Sequence, residues 1–350
     1  MKYTCIDSFC GAGGLGLGLS KAGFDILLSF DIDQKCIDTI NKNKKHFHHP
    51  AEVADINNML NGVLLDKCKL KRGELFLLAG GPPCQGFSVL RHGSDDDPRN
   101  QLVLRYGQLI NELYPYYFVM ENVSGLKGKG KSILDQLVET VQNIGYTVHI
   151  QLLDAQELGV PQRRKRYIII GERNDLGSHY KYPESCTKRK TVRDAISFLP
   201  SPPEDGSDHR EYPLHRRDKL SAINLKRLKA LKPGQASDDL PVELRPKCHK
   251  NGGLSVGYPS TYGRMEWDVP APTITARFDS FTRGKFAHPE EDRTISLREG
   301  ALLQTFPMDY IFTGNKVDVA RQIGNAVPPV MAERIGESII ECFQKSILER

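Results

Sequence analysis

No stretch of this 350-residue chain approaches the roughly 18 consecutive apolar residues that a membrane-spanning helix needs. No Cys-x-x-Cys pair occurs among its eight cysteines, at positions 5, 10, 36, 68, 84, 186, 248 and 342. No basic leader followed by an apolar run opens the sequence, which starts almost at once on a strand-like segment. Scattered thiols without a secretion signal read as reduced cysteines, and the expectation is a cytoplasmic protein without a membrane partner. Internal repeats and low-complexity tracts are also missing, so a solenoid or a disordered chain is not indicated. The length instead allows a large core divided over two domains.

Charge is present but unevenly spread. The net charge is +5, yet residues 161–250 hold 21 Lys/Arg against 12 Asp/Glu, leaving the remainder of the chain slightly acidic. A basic middle suits a polyanion, and it also suits a merely solvated surface.

Residues 3–9 read as a first strand, followed by Cys10-Gly11-Ala12-Gly13-Gly14 and a helix closed by Gly23. Strand, glycine loop and helix together let backbone approach a ligand beside a helix N-terminus. The next strand, 24–30, ends at Asp31-Ile32-Asp33, which places an acid 20 residues beyond Gly11, as in nucleotide-binding βαβ units. The glycine pattern is Gly-x-Gly-Gly, not Gly-x-Gly-x-x-Gly, so pyrophosphate is not specifically indicated. His46, His48 and His49 lack the spacing of a metal site and read as a surface loop, and no metal is expected.

An apolar run over 75–79 leads into Gly80-Gly81-Pro82-Pro83-Cys84-Gln85-Gly86-Phe87-Ser88. Two prolines hold the backbone extended and rigid, and they present Cys84 where open α/β sheets bind ligands. Read alone, that thiol is either a nucleophile or a buried structural cysteine. The polar stretch 91–99 has the composition of a mobile loop, and a helix follows over about 100–113. A strand over 116–120 then delivers Glu121-Asn122-Val123, where the carboxylate is a helix cap, a solvated residue or an acid poised for proton transfer. A helix over 132–143 and strands near 146–153 and 167–171 continue the βα alternation of a parallel sheet. In Gln162-Arg163-Arg164-Lys165-Arg166, alternate residues of an extended segment would project Gln162, Arg164 and Arg166 together, toward a ligand or as a basic edge strand. The alternation disappears over 178–292, and residues 322–329 read as a loop ahead of a last helix from about 330.

These blocks in this order resemble the DNA cytosine-5 methyltransferase family, of the compact bacterial or phage restriction-modification kind. Residues 7–14 match its S-adenosylmethionine loop, with Ser8 where leucine is more usual. Pro83-Cys84-Gln85 matches its catalytic turn, Glu121-Asn122-Val123 its acid motif and Gln162-x-Arg164-x-Arg166 its arginine motif. Arg298-Glu299, Leu303-Gln304-x-Phe306-Pro307 and Gly324-Asn325-Ala326-Val327 match its last two blocks.

The resemblance implies an α/β fold: a Rossmann-like, mostly parallel sheet with a smaller irregular target-recognition domain. Its parts would be a catalytic segment 1–177, a recognition domain 178–310 and a return segment 311–350. It implies Cys84 as nucleophile toward carbon 6 of a flipped-out cytosine, Glu121 at ring nitrogen 3, and Arg166 at O2 with Arg164 in support. The methyl donor S-adenosylmethionine would be held by Phe9, Gly11, Ala12, Gly13, Gly14, Asp31, Ile32, Asp55, Ile56, Pro82, Leu102, Asn325 and Val327. The 91–99 loop would close over the base, and Thr273, Ile274, Thr275 and Arg277 would approach the target. Double-stranded DNA is the implied partner, bound by a monomer, with a cognate restriction endonuclease encoded nearby. A transfer-RNA cytosine-5 methyltransferase is the alternative. The sizeable basic insert and the Gln85-Gly86-Phe87-Ser88 form of the turn favour DNA.

Overall fold

The computed structural model describes residues 2–83, 101–127, 130–177, 180–246 and 261–349. Cys84, the remainder of its turn and the 91–99 loop therefore lie outside the described residues. The chain forms two compact units, Met1–Leu158 with Lys165–Ser185 and Ala326–Arg350, and Gly159–Arg164 with Cys186–Asn325. The boundaries anticipated at 178 and 311 thus differ from those of the compact units, at Cys186 and Ala326.

The first unit is built on a seven-stranded sheet. Its strands are β1 (Thr4–Ser8), β2 (Asp25–Asp31), β3 (Ala51–Val53), β4 (Leu77–Gly80), β5 (Tyr117–Val123), β6 (Tyr146–Asp154) and β7 (Lys165–Arg173). They lie in the order β3-β2-β1-β4-β5-β7-β6. The first five are parallel, but β7 runs antiparallel to both β5 and β6. The reading of the last strand as a further parallel member is corrected here, whereas β6, antiparallel to β7, keeps the direction of the first five. A parallel pair needs a crossover of about a dozen residues or more, normally helical, and only a short 3-10 turn, Ala155–Leu158, intervenes.

The ten helices of the described residues are α1 (Gly14–Lys21), α2 (Gln34–Lys42), α3 (Val63–Cys68), α4 (Gln101–Leu113), α5 (Lys131–Asn143), α6 (Val192–Ile196), α7 (Ala222–Lys229), α8 (Leu297–Leu303), α9 (Lys316–Asn325) and α10 (Pro329–Leu348). Residues 75–79 are all completely buried, which explains an apolar run without alternation. Val103, Tyr106, Leu109 and Ile110 of α4 and Leu134, Leu137 and Val141 of α5 share a core with Ile6, Leu28, Leu78 and Phe118 of the sheet. Phe343 of α10 meets Phe76 edge-on, with ring centroids 4.8 Å apart. Pro329 opens α10 at a position that needs no N–H. Residues 322–325, read as loop, are instead the last turn of α9.

The second unit has no named strand among its described residues, only isolated bridges. Leu228, Leu231, Leu240, Phe281 and Ala287 form one small core. Carbonyls that a sheet would pair are met by buried arginine. Arg264 donates to the carbonyls of Leu228, Leu231, His288 and Glu291 and to the Asp292 carboxylate. Arg293 forks onto Glu299 at 2.7 and 2.8 Å and also pairs with Glu291. An arginine fork satisfies several acceptors at once without regular backbone.

Helices α1 and α10 touch at a glycine. A Cβ on Gly18 would sit 2.2 Å from the Pro329 carbonyl and 2.5 Å from Ala332 Cβ. Gly18→Ala should therefore lower unfolding free energy by about 1–3 kcal/mol, the usual cost of overpacking. Urea unfolding followed by circular dichroism measures this, and an unchanged midpoint would contradict the tight contact.

Candidate active site

In the first unit, the carboxyl ends of β1, β2, β4 and β5 and the start of antiparallel β7 share one sheet edge. Ser8 pairs with Phe30 on one side and Gly80 on the other, Gly80 pairs with Met120, and Val123 pairs with Arg166. Every first-unit block singled out from the sequence ends at or near that edge.

The glycine loop follows β1 directly. Phe9 has φ +54, a left-handed conformation that costs a bulky residue about 1–3 kcal/mol and persists only where surrounding structure imposes it. Gly11 (φ +51) and Gly13 (φ +81) continue the turn, and a Cβ on Gly11 would meet nothing within 4 Å. The loop thus leaves open space above backbone. Gly13 caps α1 without a side-chain hydrogen bond, while Ala12 and Gly14 are buried beneath the loop. Asp31 holds the loop from β2. Its Oδ2 accepts from the Gly11 N–H at 2.9 Å and its Oδ1 from the Asp33 N–H at 2.9 Å. Burial raises the Asp31 pKa, and these two amides oppose the rise.

Ile32 beside it is 71% exposed. An apolar side chain left in solvent next to an anchored carboxylate is one half of a site for a ring bearing a ribose. Asp55 caps the turn after β3 by accepting from the Asn57 backbone and side chain, both at 2.8 Å. Ile56 is core, so the adenine contact read for it is not carried by an exposed side chain. These features fit S-adenosylmethionine: an open glycine cradle, a ribose-type acid and an exposed apolar face.

The strand feeding the turn is fixed from three directions. Ser8 Oγ donates to the Ala79 carbonyl at 2.9 Å, a bond leucine could not make. A Cβ on Gly80 would lie 2.5 Å from Ser8 Oγ and 2.8 Å from the Tyr106 ring. The Tyr106 hydroxyl lies 2.9 Å from the Leu78 carbonyl and 2.8 Å from that of Val119. Pro82 is buried, and its carbonyl accepts from Asn122 Nδ2 at 3.1 Å, while Asn122 Oδ1 accepts from the Val123 N–H. Asn122 is a residue the motif contained but the sequence reading left without a role. Its side chain ties β5 to the residue two before Cys84. Leu102 packs partly buried against the sheet core, and Val327 is buried.

Glu121 lies within β5, because β7 pairs as far as Val123. Its Oε1 is 2.8 Å from Arg166 Nε, with both side chains largely buried. Arg166 also donates from Nη1 to the Lys165 carbonyl. A carboxylate and a guanidinium are therefore already paired at the edge where the cysteine turn begins.

The expectation that Gln162, Arg164 and Arg166 project together is corrected. Gln162 and Arg164 belong to the second unit and are buried in it. Gln162 accepts from the Ile274 N–H and donates to Leu303 and Gln304. Arg164 Nη1 donates to the carbonyls of Ile274 and Gly324, each at 3.1 Å. The Arg163 N–H bonds Ala271, and Thr273 Oγ1 donates back to the Arg163 carbonyl. The residues are committed to backbone because Gln162 pairs with Ala271 in a parallel bridge, which turns their side chains into the unit's interior. Gly324 must lack a side chain, since a Cβ there would lie 2.2 Å from Thr275 backbone. Arg277 is paired with Asp279. Asn325 is an exposed residue of the second unit, so it is not part of the first unit's loop as described.

The sequence reading assigned no role to Asp7. It is completely buried on β1, and neither carboxyl oxygen has a hydrogen-bond partner among the described residues. Burial pushes its pKa up to about 8. The Gly16 amide opposes that shift without the alignment of a hydrogen bond, and Asp31 adds to it. Folded protein therefore retains a proton that the unfolded chain releases between about pH 4 and pH 8. Stability falls across that window as pH rises, by at most about 1.4 kcal/mol per unit from this group. Asp7→Asn, neutral and of similar shape, should stabilise the protein more at pH 8 than at pH 5. Denaturant titrations at the two pH values measure the difference, and an equal effect at both would show that Asp7 is ionised throughout.

The sequence model of the C-5 cytosine-specific DNA methylase family matches residues 3–341. The Type II methylase M.HgiDII of Herpetosiphon aurantiacus is 34% identical, over 100% of this chain and 98% of its own. The Type II methyltransferase M1.HphI of Haemophilus parahaemolyticus is 33% identical, over 97% and 87%. An E. coli crystal structure described as a prophage-encoded DNA modification methyltransferase superposes with a TM-score of 0.74 at 26% identity, covering 98% of this chain and 100% of that one. The chain belongs to the C-5 cytosine-specific DNA methylase family.

Proposed function

We propose that this DNA cytosine-5 methyltransferase works through Cys84, Glu121 and Arg166 at the edge shared by β4, β5 and β7, with S-adenosylmethionine at the loop after β1. The observation that carries this reading is the Glu121–Arg166 pair at 2.8 Å, one strand away from the turn that Asn122 holds through Pro82. Carbon 5 of cytosine is a poor nucleophile until a thiolate adds to carbon 6 and makes the ring an enamine. Cys84 forms that carbon–sulfur bond. Glu121, having taken a proton from solvent, donates it in a hydrogen bond to ring nitrogen 3 and so draws electron density as the bond forms. Arg166 orients the Glu121 carboxylate and offers its fork to O2. S-adenosylmethionine, when bound, supplies an electrophilic methyl group for carbon 5. Water then takes the carbon 5 proton, the 5,6 double bond re-forms as the carbon–sulfur bond breaks, and Cys84 leaves as thiolate for another turnover.

A base stacked in duplex cannot reach these groups, so the target cytosine is flipped out. Asp31 takes the ribose hydroxyls and Ile32 one adenine face, with Phe9 on the other. Asp55 takes the adenine amino group. Gly11 to Gly14, Pro82, Leu102 and Val327 complete the cofactor contacts. Arg164 acts from within the second unit by fixing Ile274 and Gly324. That unit reads the DNA sequence, and its exposed Lys188, Arg189, Lys190, Lys226 and Lys229 contact phosphate. We assign the protein to the cytoplasm as a monomeric restriction-modification methylase with a cognate endonuclease.

Incubation with methyl-labelled S-adenosylmethionine and either duplex DNA or transfer RNA tests the substrate. Label should enter DNA cytosine, and Glu121→Gln should slow transfer at least 100-fold, the usual order for loss of a general acid. Label entering only transfer RNA would overturn the reading.

A further inference from the structure

Asp7 is a buried acid for which the proposed chemistry has no use. It lies immediately behind the cofactor loop, and a Cβ on Gly16 in the first turn of α1 would be 2.7 Å from its Oδ2. The carboxyl is thus aimed at the uncapped start of an eight-residue helix, with both oxygens unpartnered among the described residues. Among the described residues, the titratable groups that bear on it are Asp31 on β2, Cys5 on β1, Cys10 in the loop and Tyr106 on α4. None of these is a cation. Asp7 and Asp31, on the neighbouring strands β1 and β2, therefore make the base of the loop a place where a second negative charge is costly unless a positive one arrives.

The methyl donor brings such a charge. S-adenosylmethionine carries a sulfonium, and S-adenosylhomocysteine, left after transfer, has a neutral sulfur. Their amino and carboxyl groups are the same. We propose that Asp7 is a proton-linked counter-charge for the donor: it holds a proton while the loop is empty and releases it to solvent when a sulfonium is bound. This rests on the loop being the S-adenosylmethionine site. The only covalent change is loss of the Asp7 O–H bond, with the proton passing to water or buffer and no redox partner involved. Asp7 becomes a positioning residue that discriminates donor from product by charge, from behind the loop. The product, with no positive sulfur, leaves the proton in place, so its affinity gains no pH dependence from this group.

Linkage fixes the sign. Donor affinity relative to product affinity rises with pH while the empty protein still holds the proton, and levels off near pH 8, where Asp7 is ionised without help. Release of one full proton gives about a tenfold change in the ratio per pH unit. Because the shared amino group titrates in both ligands, its contribution largely cancels in that ratio.

Isothermal titration calorimetry of the full chain with each ligand tests this between pH 6 and 9, in two buffers of different ionisation enthalpy. The expected result is proton release on binding S-adenosylmethionine, little on binding S-adenosylhomocysteine, and a rise in the affinity ratio on the order of 50-fold between pH 6 and pH 8. Asp7→Asn should abolish both the release and the pH dependence of the ratio. Full release retained in Asp7→Asn would assign the proton to Asp31 and overturn the proposal, as would donor binding without release in wild type. If Asp7→Asn does not fold, Asp7→Ser takes its place: release must be lost there too, and its persistence counts against Asp7. No binding of either ligand would instead reject the cofactor site itself.

Discussion

At the carboxyl ends of β1 and β4, two strands approach so closely that Gly80 has no room for a side chain. Ser8 Oγ fills the space and bonds the Ala79 carbonyl. Everything at the active edge depends on that approach. It sets the glycine loop, which leaves β1 one residue later, beside the Pro82-Pro83 turn that leaves β4. Asn122 then fixes the turn to β5 through the Pro82 carbonyl, and Tyr106 braces β4 and β5 from beneath. A buried side-chain hydrogen bond contributes only about 1 kcal/mol to net stability. Its larger effect here is on position, since a misplacement of about 1 Å near reacting atoms can cost on the order of 100-fold in rate.

The second unit solves a different problem. With no named strand among its described residues, it must satisfy buried carbonyls by other means. Arg164, Arg264 and Arg293 do so, together with Gln162 and Gln304. The Arg293–Glu299 pair is buried from both sides, where removing one partner is typically costly, about 3–5 kcal/mol. This unit's cations therefore include interior braces as well as exposed side chains.

That distinction explains what could be read in the sequence and what could not. The strand–loop–helix at 4–21, the buried run at 75–79 and the helices at 101–113 and 131–143 were legible because their periodicity and punctuation follow local rules. The antiparallel β7 was not, because direction depends on the missing crossover between β6 and β7. Arg164 looked like a ligand-facing fork because alternation along an extended segment assumes one continuous strand. A bridge to Ala271 and the passage into β7 at Lys165 end that assumption. Asn122 and Asp7 escaped notice for a related reason. A positioning amide and a buried acid act through packed neighbours, Pro82 40 residues away for Asn122 and Gly16 in the next element for Asp7, which sequence pattern does not show. The turn at Pro83-Cys84-Gln85 was legible as rigid and placed at a strand end, but on its own it left a nucleophile and a structural cysteine equally open, and only the company of the other motifs favoured the first. The Glu121–Arg166 pair required both β5 and β7.

The central claim is that a thiol at position 84 bonds carbon 6 of cytosine beside that pair. The most direct measurement is mass spectrometry of the protein after incubation with S-adenosylmethionine and a duplex carrying 5-fluorocytosine at the target, where fluorine blocks the elimination that frees the enzyme. Wild type should gain the mass of the modified strand through Cys84, and Cys84→Ser should gain none. An adduct of equal yield in both proteins would contradict the account.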